Sequence, residues 1–287
     1  MKLIHVFSIF ATVESFFDGQ FKYLTDQGYE VVVVSSYAQN AEAVCKRNGV
    51  RFVPVNIPRS VSPMAIVKAV RKLCLLIREE KVDAVFGHTP VGALCAMIAA
   101  RVCGVKSRVY YRHGVIYTTM QGLKRTIFKA EERFVASLAT SVVNVSYSLS
   151  KLAVIDRLNC VSKQNVIGHG TCGGIDAYDV FNPQWIDNEK FMRLKANLGI
   201  GKPDIVFGFC GRICNDKGIP ELVNAFNMFQ KKHIDLKAKL LLIGIMDERD
   251  ILPQATRDAI KDSKDIVVSG WIKKSEIPYY YSMLDVF

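Results

Sequence analysis

An arginine and a lysine lie five residues apart between a strand pattern and a helix pattern. The apolar run at residues 204–210 predicts a β-strand, and the amphipathic segment at residues 219–232 predicts a helix. Between them stand Gly211, Arg212, Lys217 and Gly218. Arginine can grip phosphate oxygens through two parallel hydrogen bonds, and lysine adds a compact positive charge. With the free N–H groups at the start of a helix, this loop predicts a diphosphate site; a solvated surface loop is the alternative.

The elements that must position these residues alternate along the whole chain. Near-continuous Val, Ile and Phe runs indicate strands covered on both faces, as in a parallel sheet wrapped by helices. We predict one doubly wound α/β domain at residues 1–176, a linker at 177–202, and a second, incomplete domain at 203–287. Two such domains are expected to bring the carboxyl ends of their strands to a ligand cleft. Helices are predicted at residues 14–27 and 248–262 among others, with Gly28, Gly49 and Gly104 as left-handed caps.

The order of motifs resembles a known family. Gly211-Arg212, four residues, then Lys217-Gly218 after an apolar strand is similar to the donor domain of retaining glycosyltransferases of family 4, which have the GT-B fold. Residues 239–244, 267–271, 277–281 and 285–287 resemble the elements that follow in that family. In the first domain, Gly173-Gly174-Ile175-Asp176 resembles the family's Asn-Gly-Val-Asp turn, with Gly173 in place of Asn.

The resemblance implies an α/β GT-B fold with two doubly wound Rossmann-like domains, the second incomplete. It implies that Arg212 and Lys217, with Gly211 and Gly218, hold the donor's diphosphate and stabilise charge on the leaving group. His113, at the end of a predicted strand, would contact the transferred sugar or polarise the acceptor region. The implied reaction moves a hexose from a UDP-sugar to a lipid-linked or saccharide acceptor with retention, in cell-surface or capsular polysaccharide synthesis, without a metal or cofactor.

The chain departs from the family pattern at two places. Ser8 to Thr12 stand where the family has a Gly-rich loop, so Ser8 and Thr12 become the candidates for contacts from the first domain. The family's pair of glutamates is expected beyond Phe287. The candidate acceptor wall comprises the following residues around His113: Tyr110, Tyr111, Tyr117, Thr118 and Thr119.

The charge balance favours an anionic partner. Lys and Arg number 38 against 27 acidic residues, for a net charge of +11. Two predicted helices combine basic and apolar faces, which suits an anionic membrane surface, although packing on the sheet also accounts for their apolar stripes. Their basic residues are Lys68, Arg71, Lys72, Arg78, Lys124, Arg125, Lys129 and Arg133. The predicted location is cytoplasmic, with peripheral contact at the inner face of the membrane.

Two other functions remain open from the sequence. A UDP-sugar 2-epimerase of the same fold would also bind a diphosphate but needs a base and carboxylates in the cleft. A nucleic-acid-binding protein would use the positive charge, yet the chain has no zinc spacing or recognisable recognition helix. The eight scattered cysteines fit buried free thiols. A zinc set of His169, Cys172, Cys210 and Cys214 lacks the paired spacing of structural sites.

Overall fold

The computed structural model describes residues 1–59, 62–248 and 250–287, which form two compact units, Met1–Gly174 and Ile175–Phe287. The first unit contains a seven-stranded sheet in which every neighbouring pair is parallel. The spatial order is β3-β2-β1-β4-β5-β6-β7. The strands are β1 (Lys2–Val6), β2 (Glu30–Ser35), β3 (Arg51–Pro54), β4 (Ala84–Gly87), β5 (Ser107–Arg112), β6 (Ser141–Asn144) and β7 (Gln164–Asn165). The predicted doubly wound α/β fold is confirmed.

Helices cover both faces of this sheet. On β2, Val32 and Val34 join one core while Val31 and Val33 join the other, so successive residues are buried on opposite faces. This double burial explains why the strand sequence does not alternate between apolar and polar residues. The helices of this unit are α1 (Ala11–Phe16), α2 (Gln20–Asp26), α3 (Ala41–Arg47), α4 (Pro63–Glu80), α5 (Pro90–Val102), α6 (Gly122–Leu138) and α7 (Tyr147–Ile155).

One predicted helix of the first unit is wrong. Residues 14–27 form two helices, α1 and α2, because Gly19 adopts φ +88° and ends the continuous helical path. The apolar periodicity continues across the break because both pieces pack on the same core through Val13 and Phe21. Gly28 and Gly49 have the left-handed backbone predicted for helix caps, at φ +83° and +67°.

The second unit contains a three-stranded parallel sheet in the order β10-β9-β8. Its strands are β8 (Ile205–Cys210), β9 (Ala238–Ile243) and β10 (Ile266–Val268), and its helices are α8 (Asn188–Asn197), α9 (Ile219–Lys232), α10 (Gln254–Asp262) and α11 (Ile277–Tyr281). Val286 makes a parallel bridge to Phe207 on the free side of β8, where a further strand is predicted to begin.

The helix predicted at residues 248–262 begins later, at Gln254. Pro253 precedes its first residue, and proline disfavours helical geometry in the residue before it. Arg249, which falls in the predicted helix, lies outside the described residues. Across the described ranges, no helix combines the length and apolar character needed to cross a bilayer.

Candidate functional site

The loop at residues 211–218 brings the predicted cations together. Arg212 Nη2 lies 3.4 Å from Asp216 Oδ2, and Lys217 Nζ lies 3.5 Å from the same oxygen. Both cations therefore lie beside one carboxylate, between the carboxyl end of β8 and the start of α9. Their side chains are each 47% exposed, so an anionic ligand can reach them from solvent.

Two glycines shape the floor of this loop. Gly211 has φ +155° and its N–H donates to Ile243 O at 2.9 Å. A Cβ on Gly244 would lie 1.9 Å from the carbonyl oxygen of Gly211, which leaves no room for a side chain. The ends of β8 and β9 therefore approach each other through bare backbone.

The start of α9 is set by Gly218. This residue adopts the left-handed conformation at φ +72°, Pro220 follows in the first turn, and no side chain among the described residues caps the helix. Glu221 lies in the same turn and places a carboxylate near the helix start. A diphosphate at this helix end would therefore meet one local negative charge as well as the positive end of the helix dipole.

Carboxylates already hold the arginine. Arg212 Nη1 donates to Asp247, whose side chain is only 7% exposed, and this hydrogen bond is the main cause of the raised pKa of Arg212. The Asp247 side chain follows β9, so the guanidinium spans the ends of two neighbouring strands. The two cations are predictable from the sequence, whereas Asp216 and Asp247 are not among the predicted site residues. The available signal was a carboxylate within the loop, Asp216, and another shortly after a predicted strand, Asp247.

A row of three histidines crosses the strand ends of the first unit. His5 on β1, His88 after β4 and His113 after β5 are the histidine row. His5 Nδ1 lies 3.0 Å from His88 Nε2, and His88 Nδ1 lies 3.1 Å from His113 Nε2. The strands run β1-β4-β5 in the sheet, so neighbouring strand ends carry neighbouring rings. Of the three, only His113 is predicted from the sequence. The available signal for the other two was a histidine within an apolar strand, His5, and a histidine directly after one, His88.

Burial keeps the histidine row neutral. His88 is fully buried and His5 is 4% exposed. Loss of hydration lowers the pKa of His5 to about 3 and that of His113 to about 4, and it places the pKa of His88 well below its usual value. At neutral pH the exposed edge of His113 is therefore an uncharged imidazole.

The predicted contact Ser8 sits beside this row. Its hydroxyl lies 2.9 Å from the hydroxyl of Thr89, and its N–H donates to the same oxygen at 3.0 Å. Thr89 has φ +60°, a strained conformation for a β-branched residue, and a Cβ on Gly92 would lie 2.9 Å from the Ser8 nitrogen. Close packing of α5 on the end of β1 thus replaces the Gly-rich loop of the family pattern.

The other acceptor-side candidates divide by exposure. Thr12 is half-buried on α1, and Thr118 is exposed in a short 3₁₀ turn. Tyr111 is mostly buried and stacks on the His113 ring at 5.2 Å. Tyr117 is fully buried, with its hydroxyl donating to Asp156 at 2.8 Å, and this placement does not support its predicted role in an acceptor wall. Tyr110 is likewise buried, and its hydroxyl donates to Glu132.

The structure explains Gly173 in the turn where the family has asparagine. A Cβ on Gly173 would lie 2.4 Å from the carbonyl oxygen of Phe16. The end of α1 thus occupies the space of a side chain, and only glycine fits.

The described residues contain one geometric candidate for a metal. Cys214, Asp216 and Asp250 place ligand atoms within 4.8 Å of one another, and the set omits His169, Cys172 and Cys210 of the zinc set weighed above. Burial raises the pKa of the Cys214 thiol to about 11, so it is protonated at neutral pH and is a poor ligand.

Helix α6 leaves an apolar stripe in solvent. Leu123, Ile127 and Phe134 are 75%, 55% and 50% exposed, beside exposed Lys124 and Arg125. Packing on the sheet therefore does not account for these three apolar residues.

Comparison with known proteins gives a consistent family. Residues 5–146 match the family described as Glycosyl transferase 4-like. The chain is 26% identical over its whole length to the capsular polysaccharide biosynthesis glycosyltransferase CapM of Staphylococcus aureus, covering 72% of that protein. It is 25% identical to the alpha-monoglucosyldiacylglycerol synthase of Acholeplasma laidlawii, over 91% of this chain and 66% of that protein. It is 23% identical to the Escherichia coli UDP-Gal:alpha-D-GlcNAc-diphosphoundecaprenol alpha-1,3-galactosyltransferase, over 82% of this chain and 58% of that protein.

Solved structures share the fold. A glycosyltransferase from Rickettsia africae has a TM-score of 0.75 at 18% identity, over 99% of this chain and 71% of that one. Anabaena HepE in complex with UDP-glucose has a TM-score of 0.74 at 15% identity, over 99% and 72%. A UDP-N-acetylglucosamine 2-epimerase has a lower TM-score of 0.62, at 14% identity over 99% and 72%. Residues 5–146 therefore form a glycosyl transferase 4-like domain, and the chain shares the GT-B fold of solved glycosyltransferases.

Proposed function

We propose that this glycosyltransferase takes a hexose from a UDP-sugar and transfers it, with retention, to a lipid-linked or saccharide acceptor in cell-surface polysaccharide synthesis. The observation that carries the proposal is the position of Arg212 and Lys217 beside one carboxylate oxygen at the carboxyl end of β8. In this proposal the two cations hold the donor's diphosphate. Negative charge grows on that group as its bond to the sugar breaks, so the cations stabilise the transition state more than the ground state.

The relatives support this donor and acceptor class by their names. One relative is described as a capsular polysaccharide enzyme and another as acting on a diphosphoundecaprenol-linked sugar. HepE was solved with UDP-glucose. We propose that His113 contacts the transferred sugar, and that the reaction uses no metal, so the diphosphate's charge is balanced by the two side chains and the start of α9.

Two assays test the proposal. Saturating UDP should raise the Tm of the chain, since a ligand at 100 times its Kd adds about 2.7 kcal/mol to the stability of the folded state. A single-stranded oligonucleotide of similar charge should leave the Tm unchanged, and the reverse result would favour the nucleic-acid-binding alternative. Labelled UDP-sugar should then yield a glycosylated acceptor at a rate that EDTA does not change.

A UDP-sugar 2-epimerase is the second candidate, because the TM-score of 0.62 shows that its fold is related. It predicts a change at C2 of the sugar without transfer to any acceptor. Analysis of the labelled sugar by NMR separates the two reactions: an epimerised nucleotide-sugar with no glycosylated product would replace our proposal.

We also propose that α6 rests on an anionic membrane surface in the cytoplasm, through its exposed apolar stripe and basic neighbours. Replacing Lys124 and Arg125 by Gln should weaken binding to phosphatidylglycerol vesicles about 30-fold, because each basic residue at such a surface contributes about 1 kcal/mol. The matched control replaces Lys231 and Lys232 of α9 by Gln. Equal losses in both double variants, measured by co-sedimentation, would rule out α6 as the contact.

A further inference from the structure

We propose that His5 and His88 are positioning residues that lock His113 in the tautomer with its proton on Nδ1. The solvent-facing edge of His113 is then a hydrogen-bond donor, suited to a sugar oxygen. The catalytic part of this inference rests on the role of His113 proposed above, whereas the tautomer itself follows from the geometry of the histidine row.

The histidine row has two neutral proton arrangements. Each of its two hydrogen bonds, at 3.0 and 3.1 Å, needs one proton between its nitrogens, and each neutral ring carries one proton. If His88 carries its proton on Nδ1, it donates to His113 and accepts from His5. If it carries the proton on Nε2, both bonds reverse. The three rings therefore share one tautomer, all Nδ1–H or all Nε2–H.

The buried end of the row selects between the arrangements. His5 Nε2 is buried and has no hydrogen-bond partner among the described residues. Its ring is surrounded by aromatic rings, with Phe86 stacked at 4.3 Å and Phe21 edge-on at 4.9 Å. The Nε2–H arrangement would leave a donor orphaned in this apolar site, which native structures rarely tolerate. The Nδ1–H arrangement leaves only a lone pair there.

At the other end, the same arrangement places a donor toward solvent. His113 is half-buried, and its Nδ1 makes no hydrogen bond within the described part of the chain and is not among the buried atoms that lack a partner. That nitrogen is therefore open to a ligand. A neutral ring with Nδ1–H donates one hydrogen bond without the cost of burying a charge.

Packing holds the middle ring in place. The His88 ring stacks on Phe7 at 4.2 Å with 8° between the planes, and the backbone N–H of His88 donates to the Val6 carbonyl oxygen at 2.9 Å. The next residue is Thr89, the strained residue whose hydroxyl accepts from Ser8. The surrounding structure thus fixes His88 firmly enough to transmit a proton position from His5 to His113.

The test is histidine side-chain NMR on the whole 15N-labelled chain, which reports the protonated nitrogen of each ring directly. In the wild type, His113 should carry its proton on Nδ1, and the exposed His169 serves as the internal reference for a ring in solvent. In His88→Phe, which preserves the stacked ring and removes both hydrogen bonds, His113 should lose this fixed tautomer and resemble His169. His88→Leu also removes both hydrogen bonds, and it serves as the second variant if His88→Phe does not fold.

The outcomes separate the inference from the proposed function. An Nε2–H tautomer at His113 in the wild type, or an unchanged Nδ1–H tautomer in both variants, would overturn the inference. If the His113 tautomer changes in the variant and kcat falls about 2- to 10-fold, as the loss of one neutral hydrogen bond predicts, the inference and the proposed role of His113 at the sugar are both supported. If the tautomer changes while transfer kinetics do not, the tautomer lock is supported and the role of His113 at the sugar fails.

Discussion

Replacement of Arg212 by Ala tests the donor site most directly. A charge-assisted hydrogen bond contributes about 1.5–3 kcal/mol, and a guanidinium can make two to a diphosphate. The ligand must compete with Asp216 and Asp247, which already contact the guanidinium. Because Arg212 is half exposed, each of these ion pairs offsets at most about 1 kcal/mol. The net loss should be about 2 kcal/mol, which corresponds to a Kd for UDP about 30-fold higher.

Three further substitutions separate the effect of charge on UDP affinity from the effect of side-chain geometry. Arg212→Lys keeps the positive charge but loses the two parallel N–H donors of the guanidinium, so the Kd for UDP should rise only about 5-fold. Asp216→Asn removes a carboxylate that competes for both cations and repels the ligand, so UDP should bind a few-fold more tightly. Arg257 on α10 is exposed and its guanidinium donates a hydrogen bond to the Gln254 side chain. As the control, Arg257→Ala should leave the Kd for UDP unchanged.

Isothermal titration calorimetry at fixed ionic strength measures these affinities, and thermal unfolding without ligand monitors the fold of each variant. Arg212→Ala removes the hydrogen bond from the guanidinium to the mostly buried Asp247 carboxylate, so a somewhat lower Tm is expected. A variant that unfolds normally yet binds UDP as well as the wild type would refute the assignment of the diphosphate to this loop. Weaker binding in Asp216→Asn would show that the carboxylate orients the cations rather than competing for them.

Three further predictions concern stability and pH. Gly173→Asn, which restores the residue of the family pattern, should cost about 1–3 kcal/mol by thermal unfolding because its Cβ meets a carbonyl oxygen, whereas Gly174→Asn, with open space around it, should cost less. Gly244→Ala should abolish UDP binding along with lowering the Tm, and normal binding would mean that β8 and β9 can separate freely. The histidine row has pKa values below the unfolded value of about 6.5, so the unfolded chain binds more protons and stability falls as pH drops from 6.5 toward 4. Near pH 5 each of its histidines contributes about 1.4 kcal/mol per pH unit, partly offset by Glu131 and Glu132, whose pKa values are raised. A constant Tm between pH 7 and pH 5 would contradict this.

The fold was largely predictable because its signals are local. Strands buried on both faces and capping glycines such as Gly28 leave their mark within a few residues of sequence. The errors arose where one backbone angle overrode a periodic pattern, at Gly19, or where Pro253 delayed a helix. Periodicity describes which face is buried and does not detect a short break between two helices on the same core.

The candidate site was less predictable because its contacts join distant residues. The interval from Arg212 to Lys217 is visible in the sequence, but its link to Asp247 depends on the pairing of β8 with β9. His5 and His88 are 83 residues apart and meet only because β1 and β4 are neighbours in the sheet. Tyr117 is of a residue type that is common in binding sites, yet it is buried because α6 and α7 pack around it. That packing could not be read from the sequence.

The meeting of Gly211 and Gly244 limits how this enzyme can change. A Cβ at Gly244 would collide with the carbonyl oxygen of Gly211, and a side chain at Gly211 would have to adopt φ +155°, so variation at either position is a poor route to a new contact with a nucleotide or a sugar. A lineage that adopts another donor must alter residues at the rim of the loop while keeping its backbone floor. The two positions are therefore structurally coupled, and a substitution at either one requires a compensating movement of both strands.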